Sequence, residues 1–130
     1  MLDRRLLIAA FAAALLAPPA RAEEKKKGGG LSFIAFPTLT ATVMRPDGRR
    51  GVLTVEAGID VPDSGLRTRA QSVQPRLQAA YVQILQIYAG GLPPATMPDA
   101  EYIGQSLQRE TDRLLGARGA KLLLGAILVN

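Results

Sequence analysis

Between Val61 and Leu66 the spacing of the apolar residues changes, and that change decides the fold class. Before it, Leu53, Val55, Ala57, Ile59 and Val61 alternate with Thr54, Glu56, Gly58 and Asp60 over nine residues. Such a period of two belongs to a strand with one buried face. After Pro62-Asp63-Ser64-Gly65, the residues Leu66, Ala70, Val73, Leu77, Ala80, Ile84 and Ile87 recur at steps of four and three. That is the stripe of an amphipathic helix lying on a core. One chain carrying both periods in sequence folds as α+β, with helices laid over a sheet.

The flanking segments extend the pattern. Thr38, Thr40 and Thr42 alternate with Leu39, Ala41 and Val43 after Pro37, which lacks an N–H and so belongs at a strand start or an edge. Arg45-Pro46-Asp47-Gly48-Arg49 then reads as a turn, because Pro presets φ and Asp-Gly supplies a positive φ. The two runs form a long antiparallel hairpin. Asp63 or Ser64 serves as N-cap for the helix that follows. Pro75 lies inside this helix and kinks it or splits it in two. The stripe also suits a coiled coil, but Ala70 and Ala80 in its core and the lack of charged flanking pairs point to packing within the chain.

Gly90-Gly91-Leu92-Pro93-Pro94 stops the helix with a C-terminal glycine and two prolines. Thr96 and Asp99 open a second helix in the manner of a capping box. Its stripe is Ile103, Leu107, Leu114 and Leu115, with Gln108, Arg109, Asp112 and Arg113 facing water, and Gly116 or Gly119 ends it. Leu122 to Val129 is an almost continuous apolar run, too short for a typical helix and suited to a strand buried on both faces. The expected architecture is a small sheet in β-β-α-α-β order with two helices on one face. The last strand can pair with either hairpin arm. One hairpin face is polar whereas the last strand is apolar on both sides, so a protein neighbour or a second copy is expected to cover part of the sheet.

The first 22 residues read as a signal peptide rather than as part of the fold. Arg4 and Arg5 form a positive n-region, and Leu6 to Ala17 is a 12-residue apolar core. That core is shorter than the roughly 20 residues of a membrane-spanning helix. Pro18-Pro19 breaks it, and Ala20-Arg21-Ala22 is a small-x-small cleavage site. The paired arginines match twin-arginine (Tat) export and also occur in ordinary Sec signals. The expected location is the periplasm, or the inner membrane facing the periplasm if the segment stays uncut as an anchor. Residues 23–30 (EEKKKGGG) form a charged, glycine-rich linker ahead of a domain at 31–130. Its lysines could meet anionic lipid, but Glu23 and Glu24 beside them weaken that attraction.

Composition narrows the chemistry. Lys and Arg total 16 against 11 Asp and Glu, yet from Leu31 onward the count is ten against eight. The basic balance therefore lies largely outside the domain, and five aromatics remain after Ala22, so a nucleic-acid surface is not expected. The chain has no Cys and no His. That removes the Ser-His-Asp triad, thiol nucleophiles and zinc sites built on either residue. No acid–base pair, activated nucleophile or cofactor fingerprint is present. The expectation is a non-enzymatic protein with no cofactor and no metal.

The remaining candidates are few. Asp60 and Asp63 flank Pro62 and could hold a hard cation, but two carboxylates are too few, and capping and turn formation account for them. Arg49 and Arg50 at the hairpin tip are the candidate interaction residues, able to meet an anionic group together. Tyr81, Tyr88 and Tyr102 sit on or beside helix stripes, packed with their hydroxyls at the rim. The glycines at 28–30, 48 and 51 do not precede a strand-to-helix turn and make no phosphate loop.

Taken together, several segments resemble one family. They are Phe33-Ile34-Ala35-Phe36-Pro37 leading to the Thr-rich strand, Arg45-Pro46-Asp47-Gly48-Arg49-Arg50 with the alternating strand after it, and Pro75 to Tyr81. The Leu-Leu-Gly end of the second helix and the closing Leu124 to Asn130 complete the set. The stretch from about Phe33 onward is similar to the periplasmic domain of the flagellar basal-body-associated FliL family, itself similar in fold to the stomatin and prohibitin core. The resemblance implies protein–protein contact at the flagellar motor and its stator, with ring-like homo-oligomers and no catalytic residues. In that family a transmembrane helix precedes the domain, and here a short signal stands in its place. The other expectation is a periplasmic small-ligand or ion-binding module unrelated to motility, suggested by an export route used for proteins that fold before crossing.

Overall fold

The computed structural model describes residues 30–130, of which Ser32–Asn130 form one compact unit. The elements are β1 (Phe33–Ala35), β2 (Leu39–Met44), β3 (Arg50–Asp60), α1 (Ser64–Ser72), α2 (Gln74–Gly90), α3 (Ala100–Leu115) and β4 (Lys121–Val129). The fold is α+β, a small antiparallel sheet with helices packed on one face. Its order has one more strand and one more helix than the β-β-α-α-β pattern read from the sequence, and both additions trace to a proline. Pro37 cannot donate to the ladder, so the entry strand breaks into β1 and β2. Phe36 still donates to Ala57 O at 3.1 Å across the break, and both pieces lie along the same edge of β3. Pro75 sits in the first turn of α2, where a missing N–H costs nothing, and the helix divides at Val73 (φ −105°, ψ 12°).

The hairpin alternation holds residue by residue. Leu39, Ala41 and Val43 of β2 pair with Val55, Leu53 and Gly51 of β3 and are buried, while Thr40, Thr42 and Met44 point outward. Arg45 N donates to Arg49 O at 2.8 Å and Gly48 N to Arg45 O at 2.9 Å. Gly48 takes the φ of +82° that this tight turn demands. The helices cover the inner face through Leu77, Tyr81, Leu85 and Ala89 of α2 and Ile103, Leu107, Thr111 and Leu115 of α3. Ile87 leaves the stripe and is exposed, because within α2 the buried face follows steps of four through Leu77, Tyr81, Leu85 and Ala89. The caps are Asp63 for α1, accepting from Leu66 N at 2.8 Å, and Asp99 for α3, accepting from Tyr102 N at 3.1 Å. The capping role read for Thr96 therefore falls three residues later. Gly116 closes α3 in the left-handed region at φ 71°.

β4 corrects the sequence reading most clearly. It pairs with β3 and was expected to be buried on both faces, yet none of its residues is fully buried. Leu122, Leu124 and Ile127 rest against the core, while Leu123 and Leu128 lie on the open outer face. Among the described residues the strand is an edge, with no further strand on its far side. Opposite Glu56 its register slips, so that Gly125 and Ala126 share one position. The Glu56 carboxylate accepts from Ala126 N at 3.2 Å in this bulge. A Cβ on Gly125 would come within 2.9 Å of that same oxygen, so a larger residue there would push the Glu56 carboxylate aside. Among the described residues no helix is long and apolar enough to cross a membrane.

Candidate functional site

Arg4, Arg5, Ala20 and Ala22, the residues of the export reading, lie outside the described residues. Arg49 and Arg50 stand at the hairpin tip, both exposed. Asp47 shapes this tip. Its carboxylate accepts from Arg49 N at 2.9 Å and lies 3.5 Å from the Arg45 guanidinium. Among the described residues neither Arg49 nor Arg50 takes part in a salt bridge. Arg50 is paired with Met44 in the ladder, so cations and apolar side chains meet at this end of the sheet.

Beside the tip lies a groove of about 150 Å³. The end of β2 (Val43, Met44), the turn (Arg45, Pro46), the segment from Leu92 to Met97 and Val129 of β4 enclose it. Met97 is 84% exposed and Met44 and Val129 about half exposed, so these apolar side chains have been left uncovered. The wall formed by residues 92–97 is held by Thr96 N donating to Pro93 O at 3.2 Å. It contains Ala95 at φ 65°, the one non-glycine residue with positive φ among the described residues. Strain of this kind persists where surrounding structure holds it and concentrates at functional positions. Next to the groove, Tyr102 stacks on Tyr88 with ring centres 5.4 Å apart, and the Tyr88 hydroxyl accepts from Asp99 N at 2.8 Å.

The opposite end of the sheet is polar. A shallow cleft of about 390 Å³ is lined by Asp60, Gln108, Asp112, Arg118 and Lys121 among others. Asp60 accepts from the Ser32 hydroxyl, while Asp63 faces α1 as its cap, so the two aspartates flanking Pro62 do not converge. No group of three or more metal-ligating side chains occurs among the described residues. Gln108, read as facing water, is half-buried and works as a plug. Its amide nitrogen donates to Ala120 O at 2.8 Å and to Asp112 at 3.0 Å, and its amide oxygen accepts from Leu122 N at 2.8 Å. It thus occupies the backbone groups that an adjoining strand would have used.

Tyr81 also departs from expectation. It is fully buried, with its hydroxyl bonded to Thr111 rather than at a rim. Burial pushes its pKa up to about 12, partly offset by the Thr111 hydrogen bond. Thr111 in turn donates to Leu107 O at 2.7 Å, so the pair is a satisfied core contact. No buried side-chain polar atom among the described residues lacks a partner. The apolar groove was missed from sequence because Leu92 to Pro98 has no period. The available signal was Met97, a large apolar residue amid prolines with no stripe to join.

Fold and surface together define a small α+β domain with an apolar groove at one end of its sheet and a cleft lined largely by polar residues at the other. No protein-family model, no curated protein and no solved structure matches the chain.

Proposed function

We propose that the chain is an exported, non-enzymatic, FliL-like periplasmic protein that works by protein–protein contact, with the flagellar motor and stator as its setting. The observation that carries the contact reading is the groove end: Met44, Met97 and Val129 are left open there, and Met44 is paired in the ladder with Arg50, next to Arg49. Uncovered apolar residues gathered at one place and rimmed by polar ones mark interaction surfaces. The chain enters the unit at Ser32, whose carbonyl accepts from Val61 N at the other end of β3. Eleven residues of strand, about 35 Å, separate that entry from the groove. The motor setting rests on the resemblance of the segments from Phe33 onward. The test is deletion of the gene, scored for swimming and stator recruitment. Unchanged motility removes the flagellar part, and N-terminal mass spectrometry starting at Glu23 supports export with cleavage.

A second reading, a periplasmic small-ligand or ion-binding module, draws on the cleft whose lining includes Asp60, Asp112, Arg118 and Lys121. A thermal-shift screen with ions and metabolites separates the two, since ligand at about 100 times its Kd adds about 2.7 kcal/mol to stability. A flat screen leaves the contact reading alone.

A further inference from the structure

We propose that the groove receives one bulky apolar side chain, of phenylalanine or leucine size, from an acidic segment of a partner protein whose carboxylates pair with Arg49 and Arg50. This inference deepens the contact reading and rests on it. The volume comes first: the groove measures about 150 Å³ and its lining is mainly aliphatic. An aliphatic cavity of that size holds a benzene-sized guest. Met44 and Met97, with three rotatable bonds and a polarizable sulfur each, can close around guests of slightly different shape.

Charge supplies the second constraint. Arg45 already lies 3.5 Å from Asp47, whereas Arg49 and Arg50 form no salt bridge among the described residues. A partner that docks an apolar anchor beside them meets two exposed guanidiniums, and acidic residues flanking the anchor complement them. Such rim pairs set orientation and association rate more than affinity, which the buried anchor carries. A flat lipid surface would cover Met97 but leave the concavity beside it unfilled. A two-fold contact between copies through this end would set Arg49 and Arg50 against their own duplicates, a like-charge arrangement that disfavours association.

The test uses fluorescence anisotropy with a short fluorescein-labelled peptide, rich in Asp and Glu and carrying one central Phe. Saturable binding is expected, weakened about tenfold when the peptide's Phe is replaced by Ala and about tenfold by Met97→Glu in the protein. Arg49→Glu combined with Arg50→Glu should slow association and flatten its salt dependence. Leu123→Glu, on β4 with the groove's Val129 but at the far end of that strand, should leave binding intact. Met97 is exposed, so its variant is expected to fold, and matching circular dichroism melts check this. Absence of binding up to about 1 mM peptide overturns the proposal, as does equal binding of the Phe and Ala peptides. Met97-dependent binding to phosphatidylglycerol vesicles alone overturns it in favour of a membrane. Concentration-dependent self-association abolished by Met97→Glu overturns it in favour of a second copy. A photo-crosslinker at position 97 in cells separates the levels. If a protein is captured there while the peptides fail, only this inference falls; if neither gives a signal, the contact reading falls with it.

Discussion

The two ends of β3 have been finished in different ways. At the Asp60 end, backbone groups left over by the sheet and helices are met by side chains of the same chain. Gln108 bridges Ala120 and Leu122, Arg67 donates to Val61 O and Pro62 O at 2.9 and 3.2 Å, and Asp63 caps α1. At the Arg50 end the leftover groups are apolar side chains, and nothing in the described chain covers them. Polar closure makes one end self-sufficient, whereas the other keeps apolar surface open. The difference predicts that substitutions at the first end are read in stability and those at the second in binding.

The largest expected effect is at Gly58, which lies beneath the Phe33 ring. A side chain there would collide with that ring and approach Ile34 O within 2.9 Å. Gly58→Val should cost about 3 kcal/mol, measured by urea unfolding, since the sheet must deform to admit it. At the groove end, Met97→Glu should stay within about 0.5 kcal/mol of the original stability. If both substitutions cost the same, the comparison between the ends breaks. Next comes Gln108→Leu, which keeps the bulk but leaves Ala120 O and Leu122 N unpaired at a half-buried position. A loss of about 1–3 kcal/mol is expected, and with it a rise in self-association, because the plugged strand edge is reopened.

How much of this was legible in the sequence differs between the same two ends. The inward residues of β2 and β3 were read correctly because alternation records burial directly: Leu53, Val55 and Ile59 are all fully buried. A kink or split at Pro75 and a cap at Asp63 or Ser64 were legible because each depends on local chemistry alone, and the fold takes the split and Asp63. β4 was legible as a strand but not in its burial, since apolar character reports what a residue can bury and not whether a neighbour exists to bury it. Gln108 was misread for the converse reason, because a polar residue flanking a helix stripe faces water or backbone according to where the chain returns. The groove is a property of three segments brought together by the fold, at Met44, Leu92 to Met97 and Val129. No spacing within any one of them announces it.

Tyr81 lies between the ends and tests whether the shared core responds independently of both. Its phenol ionises near pH 10.0 when exposed and only at about 12 when folded, so the folded state binds this proton more tightly. The contribution is therefore fully present below pH 10 and lost as pH rises toward 12. Tyr81→Phe should cost about 1 kcal/mol at neutral pH, since Thr111 keeps its bond to Leu107 O. It should also flatten the alkaline fall in stability, followed by urea midpoints at pH 8, 10 and 11. An unchanged alkaline limb in the variant would assign that fall to other groups.

The smallest expected effect is the sharpest test of the groove end. Ala95 holds φ 65° in the wall that carries Met97. A left-handed conformation costs a residue with a Cβ about 1–2 kcal/mol. Glycine removes that cost but adds about 0.5–1 kcal/mol of unfolded-chain entropy. Ala95→Gly should therefore stabilise by roughly 0.5 kcal/mol, visible as a small rise in Tm. If the wall conformation serves docking, the same variant should bind the Phe-bearing peptide more weakly despite its gain in stability, because the segment beneath Met97 becomes free to explore other geometries. Stability and binding moving in opposite directions at one alanine would show strain kept for contact. Both rising together would mean that the groove owes nothing to it.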